Sequence, residues 1–317
     1  MKGENLFGGI MGSQNLEMIV KMLRARKTEK IPPIEDMRAY LEKMGSFFPV
    51  AKDIVCEPVD ANGIPAEWII APGAAQDLAL LYLHGGGYTI GSINSHRHLA
   101  SRLSKSAKVR VLAIDYRLAP EHPFPAALED ARAAYRWLLA QGFCQAKLAI
   151  AGDSAGGGLT MAVLVALRDE DAGLPAAAVC MSPWVDLAGT GNSMRTKAEV
   201  DPMVRQDGVR MMAKMYLGQA DATTPLASPL YADLSGLPPL LIQVGTSEVL
   251  LDDAVRLAER AKSAGVNVTL EQWEDMIHVW QFFASMLPEG GQAIERIGQF
   301  IQAMLNSLFQ IYGIFTD

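Results

Sequence analysis

Gly152-Asp153-Ser154-Ala155-Gly156 places a serine between two glycines at the spacing G-x-S-x-G. A serine hydroxyl is a weak nucleophile until a neighbouring base removes its proton. The spacing matters because it lets the chain turn sharply from a strand into a helix, lifting the hydroxyl out of the turn. A side chain at either glycine would fill the room that turn needs. By composition the pentapeptide arises by chance in roughly one chain in ten of this size, so its setting carries the reading. A buried strand expected over Leu148–Ala151 leads in, and a buried helix expected over Ala155–Leu167 leads out. The competing reading is a phosphate-binding turn. That turn would need Gly-Lys-Ser/Thr at the helix start or G-x-G-x-x-G opening it. The chain has Gly156-Gly157-Gly158-Leu159 and no glycine at 154. Ser154 is therefore the candidate nucleophile.

A serine nucleophile needs three kinds of help: donors for the developing oxyanion, a base, and an acid that orients the base. His84-Gly85-Gly86-Gly87-Tyr88 follows the apolar run that ends at Leu83. Glycines let backbone N–H groups approach a substrate closely, so Gly85 and Gly86, with Ala155 after the nucleophile, are the expected oxyanion donors. Five histidines compete for the base. His84 belongs to the glycine loop and is expected to hold it. His96 and His98 lie in a polar stretch expected to open a helix, and a metal site there is disfavoured. His122, among prolines, reads as loop packing. His278 follows the last expected strand, late in the chain, and is the candidate base. The acid is expected after the strand Leu240–Val244, where Glu248, Asp252 and Asp253 all follow Gly245. Glu248 lies in the loop directly after the strand and is preferred. Asp252 is the alternative; it and Asp253 begin a helix, where acidic residues also cap the N-terminus.

The elements that must position these residues alternate along the chain. Ala51–Val59 and Ile64–Ile70 are strand-like runs joined by Asp60-Ala61-Asn62-Gly63, a hairpin signal. Short apolar strands at Leu78–Leu83, Val109–Asp115, Lys147–Ala151, Ala176–Met181, Leu240–Val244 and Val266–Trp273 then alternate with helices at Phe124–Leu139, Ala155–Leu167, Asp252–Lys262 and Ile294–Leu305. This is the pattern of an α/β fold with a mostly parallel central sheet flanked by helices. Loops at the C-terminal ends of its strands then share one edge, where sites form. Residues 1–45 read as helical, around Asn15–Arg26 and Ile34–Met44, and as part of a cap separate from the core. About residues 186–227 form an insertion too long for a simple connection. The domain expectation is thus 1–45 as the N-terminal part of a cap and 46–317 as the catalytic domain, with 186–227 contributing to the cap. The end, Leu308–Asp317, is apolar and aromatic, and no role is assigned to it.

Composition narrows the function classes. The chain has 317 residues, 50% hydrophobic and 20% charged, with a net charge of −7. Basic residues are scattered apart from Lys21, Arg24, Arg26, Lys27 and Lys30, which read as a solvated helix face. Nucleic-acid binding is not expected. Cys56, Cys144 and Cys180 are odd in number and widely spaced, which fits a reducing compartment rather than a disulfide framework. No signal peptide and no membrane-spanning segment is read.

Taken together, His84–Tyr88, Asp115-Tyr116-Arg117-Leu118-Ala119-Pro120-Glu121, Gly152–Gly157 and Ile277-His278-Val279-Trp280 resemble the bacterial hormone-sensitive-lipase-like esterases, family IV of the α/β-hydrolase fold. The resemblance runs from about residue 78 past residue 278. It implies a cytoplasmic carboxylesterase acting on short-chain esters through Ser154, His278 and Glu248, under a helical cap, with a homodimer as the expected assembly. No metal or organic cofactor is required. The stretch from Asp115 to Glu121 is expected to brace the site. In many members an Asp-Pro-Leu holds the acid; here Glu248-Val249-Leu250 stands there, resembling a minority that uses Glu. The same triad would also serve an acyltransferase, amidase or lactonase. A small-molecule receptor on this fold would have lost the histidine, which this chain retains.

Overall fold

Leu148–Asp153, Ala177–Met181 and Leu240–Gly245 are buried at every position. Strands covered on both faces must lie inside a sheet with helices on either side. The computed structural model of the protein shows that arrangement. It describes residues 14–25 and 30–312, apart from the side chains of 307–312. Arg26 and Lys27 of the basic cluster, the first 13 residues and the side chains of the apolar C-terminal tail lie outside the described residues.

The strands are β1 (Val55–Asp60), β2 (Pro65–Ile70), β3 (Ala75–Leu83), β4 (Val109–Ile114), β5 (Leu148–Asp153), β6 (Ala177–Met181), β7 (Leu240–Gly245) and β8 (Val268–Trp273). They make one eight-stranded sheet in the order β1-β2-β4-β3-β5-β6-β7-β8. β2 pairs antiparallel with β1 and β4, and every pairing from β4 through β8 is parallel. The β1–β2 hairpin sets Asp60 opposite Pro65. Its turn needs two left-handed residues, supplied by Asn62 (φ 60°) and Gly63 (φ 85°).

The helices are α1 (Gln14–Arg24), α2 (Ile34–Ser46), α3 (Ile93–Ala107), α4 (Ala126–Ala140), α5 (Ala155–Asp169), α6 (Ser193–Thr196), α7 (Gln206–Leu217), α8 (Leu251–Ser263) and α9 (Pro288–Tyr312). Successive side chains of a strand point to opposite faces, and the core divides accordingly. Ile150 and Cys180 join one cluster, with Leu128 of α4, Leu164 of α5 and Leu257 of α8. Ala149, Ala151 and Val179 join the other, with Leu99 and Leu103 of α3 and Ile297 and Ile301 of α9. The closing helix starts at Pro288, before the expected Ile294, because Gly290 and Gly291 weaken the sequence signal without stopping the helix.

The N-terminal helices are tied to the body. Leu16, Ile19 and Leu23 of α1 and Met44 of α2 belong to the same cluster as α3 and α9. Between β6 and β7 lie α6 and α7, and α1 reaches this segment through Arg24, whose guanidinium donates to the carbonyls of Glu199 and Val200. Among the described residues no helix is long and apolar enough to cross a membrane.

Candidate active site

Ser154 sits between the last residue of β5 and the first of α5, with φ 53° and ψ −120°. A non-glycine residue holds such a backbone only when its surroundings over-determine it. Here they do. A Cβ on Gly152 would lie 2.2 Å from the Gly156 carbonyl oxygen, and one on Gly156 would lie 2.0 Å from that of Leu83. Both must be glycine for the strands and helix to close. The Ser154 N–H donates to the Met181 carbonyl at the end of β6 (2.8 Å), and its carbonyl accepts from Trp184 N–H (2.9 Å).

The loop after β8 brings His278 to this hydroxyl. His278 Nε2 is 2.9 Å from Ser154 Oγ, and its Nδ1 is 2.6 Å from Glu248 Oε2. Glu248 is fully buried in the turn after β7. Its other oxygen, Oε1, accepts from Gly245 N–H (2.7 Å) and from the Ser182 hydroxyl (2.8 Å). Gly245 lets the two loops cross, because a Cβ there would stand 2.1 Å from the Met276 carbonyl oxygen. A carboxylate only accepts, so Nδ1 carries the proton and Nε2 is free to take one from Ser154. Burial alone would lower the pKa of His278, but the Glu248 carboxylate beside it, with help from Asp201 and Asp153, outweighs burial and raises it.

The other acid candidates are elsewhere. Asp252 Oδ2 accepts from Ser193 N–H at 3.0 Å, pinning α6 to α8. Asp253 Oδ2 accepts from the N–H groups of Val185 and Asp186, and burial, with Asp186 nearby, pushes its carboxyl up to about 8. Neither bonds His278. Asp201, in the insertion, is buried and approaches the acid loop: its Oδ2 accepts from Val249 N–H (2.9 Å) while Oδ1 accepts from Met203 and Val204.

The glycine loop lies beside the serine, with one correction. Gly85, expected as an oxyanion donor, points its N–H at Asp153 Oδ1 (3.0 Å). Its donor is engaged behind the site. Gly86 and Gly87 take positive φ (116° and 62°). Among the described residues no backbone carbonyl or side chain accepts from Gly86, Gly87 or Ala155 N–H across a loop or turn. Gly87, which the motif alone did not single out, therefore joins Gly86 and Ala155 as a candidate donor; three consecutive glycines look alike until the Asp153 carboxylate claims one. That carboxylate also accepts from Tyr82 Oη (2.5 Å), with His96 Nε2 3.5 Å away. Burial works against its charge, yet His96 and the Tyr82 hydroxyl hold its pKa below the ordinary aspartate value.

Surrounding residues brace the loop. Tyr116 Oη donates to the His84 carbonyl (2.7 Å) and its ring stacks on His84 at 4.2 Å. Burial drives the His84 imidazole down to about 3, so it is neutral. Arg38 of α2 donates to the carbonyls of Thr89 (2.8 Å) and Ala119 (3.0 Å), and pairs with both oxygens of Glu121. Met212 of α7 covers Gly87, its sulfur 2.2 Å from where a Cβ would be. Tyr88 stacks on Tyr216 of α7 at 3.7 Å. His96 and His98 are buried in α3 rather than polar-facing: His98 Nε2 meets the Phe282 carbonyl at 3.0 Å and its ring stacks on Phe48. His122 is exposed, so it is not packed in its loop. Among the described residues no three His, Cys, Asp or Glu side chains gather as a metal site.

A family model described as the α/β-hydrolase fold matches residues 80–282. A solved esterase from the bacterial hormone-sensitive lipase family superposes with a TM-score of 0.91 at 53% identity, covering 93% of this chain and 100% of its own. The chain belongs to the bacterial hormone-sensitive lipase family. An esterase/lipase structure from an uncultured bacterium agrees, with a TM-score of 0.90 at 50% identity over 93% of this chain and 100% of that one. Among relatives of assigned activity, an acetyl-hydrolase of Streptomyces hygroscopicus is 46% identical over 92% of this chain and 97% of its own length. An esterase of Acinetobacter venetianus is 34% identical over 84% and 88%. As a member of the hormone-sensitive lipase family, the protein is a carboxylesterase and a serine hydrolase.

Proposed function

We propose that this carboxylesterase hydrolyses short-chain esters through an acyl-enzyme on Ser154, with His278 as general base and Glu248 as the acid that orients it. The observation that carries the proposal is the unbroken line Ser154 Oγ, His278 Nε2, His278 Nδ1, Glu248 Oε2, with contacts of 2.9 and 2.6 Å. His278 takes the Ser154 proton as Oγ attacks the ester carbonyl. Gly86, Gly87 and Ala155 N–H groups receive the oxyanion, aided by the positive end of α5. His278 then protonates the departing alcohol and activates the water that frees the acid. The preference for short acyl groups is supported by the acetyl-hydrolase relative and by α7, whose Met212 sits against Gly87 and whose Tyr216 stacks on Tyr88. The proposal takes residues up to about 45 and the 186–227 insertion as one cap. It also includes a cytoplasmic location and a homodimer, both carried by the family resemblance.

The direct test is hydrolysis of p-nitrophenyl acetate, butyrate, octanoate and palmitate by the pure protein. Acetate and butyrate are expected to give the highest kcat/KM and palmitate the lowest. A maximum at palmitate would remove the short-chain assignment, and no turnover of any ester would remove the generic esterase chemistry.

The pH profile follows from the charge around His278. The base works only when neutral, and the carboxylates favour its protonated form. Activity is therefore lost as pH falls through the raised value. The acid limb of kcat/KM, which reports the free enzyme, is expected to have its midpoint above the ordinary histidine value of about 6.5. A midpoint below it would mean that burial, not Glu248, governs the imidazole.

A further inference from the structure

Ser182 follows β6, has φ 46° and is fully buried. Its hydroxyl donates to Glu248 Oε1 at 2.8 Å and accepts from Val279 N–H at 3.1 Å. A hydroxyl has one hydrogen and accepts through its lone pairs, so both bonds coexist. We propose that Ser182 is a positioning residue for the reaction, one whose hydroxyl holds the acid and the backbone just past the base in register with the nucleophile. This rests on the assignment of Ser154, His278 and Glu248 above.

Three features support it. The preceding residue, Met181, accepts the Ser154 N–H through its carbonyl, so two consecutive residues touch the nucleophile, the acid and the base loop. Val279 is a β-branched residue held at φ 48° and ψ 48°, a conformation that persists only under outside constraint. Its amide finds that constraint in Ser182 Oγ. Finally, Glu248 Oε1 has two named donors, Gly245 N–H and Ser182 Oγ. With both in place the carboxylate presents Oε2 to His278 and spreads part of its charge away from it. Removing the hydroxyl loosens the carboxylate and concentrates its charge on the imidazolium.

The test uses the full-length enzyme and p-nitrophenyl butyrate. Ser182→Ala is expected to lower kcat by roughly 10- to 100-fold, the range for losing a hydrogen bond to a charged group. KM should stay within about twofold, because the contact acts on the reacting groups rather than on substrate binding. The acid limb of kcat/KM should move to higher pH, a change that loosened packing alone would not produce. In a Glu248→Gln background, Ser182→Ala should cost little more, since the two residues act as one unit. Ser182→Cys, which keeps shape but donates weakly, should fall between wild type and alanine; it carries the same measurements if the alanine variant does not fold. Unchanged kcat and an unmoved limb would overturn the assignment, as would losses that multiply with Glu248→Gln. If Glu248→Gln alone keeps its rate, the failure belongs to the triad instead.

Discussion

Ser154→Ala should reduce kcat toward p-nitrophenyl butyrate by about a millionfold, and His278→Ala by a similar factor. Without Oγ there is no atom to form the acyl-enzyme. Without the imidazole, Oγ keeps its proton and attacks no faster than an ordinary alcohol. The two residues share one proton transfer across the 2.9 Å contact, so removing both should cost little more than removing either. What survives is water attack on an ester still held by the Gly86, Gly87 and Ala155 N–H groups, worth roughly 10³–10⁴ over solution. Fluorophosphonate labelling gives a separate readout: wild type should label at Ser154, and both variants should fail to. Losses that multiply in the double variant, or labelling of Ser154→Ala at another serine with retained turnover, would place the chemistry elsewhere.

The second large effect separates two acids that lie four residues apart. Glu248→Gln keeps the shape of the side chain but can offer an N–H where the carboxylate accepted one. The imidazole can then bind it through an unprotonated Nδ1, which leaves the proton on Nε2, facing Ser154. In that tautomer His278 cannot take the serine proton, and kcat should fall about 10⁴-fold. Asp252→Asn should leave kcat within about threefold, as expected for a position outside the proton path. Its contact is with Ser193 N–H, which an amide oxygen can still accept. A larger loss at Asp252 than at Glu248 would reverse the assignment of the acid.

The difference between those acids was only partly readable along the chain. Ser154 was legible because its strained turn demands glycine at fixed offsets, and such demands leave a pattern. His278 was legible by elimination and by its place after the last strand. Glu248, Asp252 and Asp253 all follow one strand, and along the chain only the place of Glu248 in the loop ahead of the helix favours it; the contact that separates them, Glu248 Oε2 to His278 Nδ1, spans 30 residues. Gly85 misled for a similar reason. Its N–H direction depends on Asp153, 68 residues later in the chain. Ser182 gave no signal at all, since one serine after a buried strand is common and its partners arrive from two other strands. The parallel sheet was read well because buried strands must be apolar throughout, whereas the burial of His96 and His98 was missed because α3 packs its polar residues inward.

The contact between Asp201 and the Val249 amide bears on how freely such an enzyme can be diversified. A covering segment that only shapes the substrate pocket could be exchanged between relatives as a module. In the proposed cap, residues 186–227 would supply an acceptor to the turn that carries Glu248 as well, and Asp201 contributes charge felt by His278. Its graft boundary therefore cannot be drawn at the ends of the insertion alone. A transplanted covering segment would need to bring its own acceptor to residue 249, so changes of substrate range and changes of catalytic tuning are inherited together.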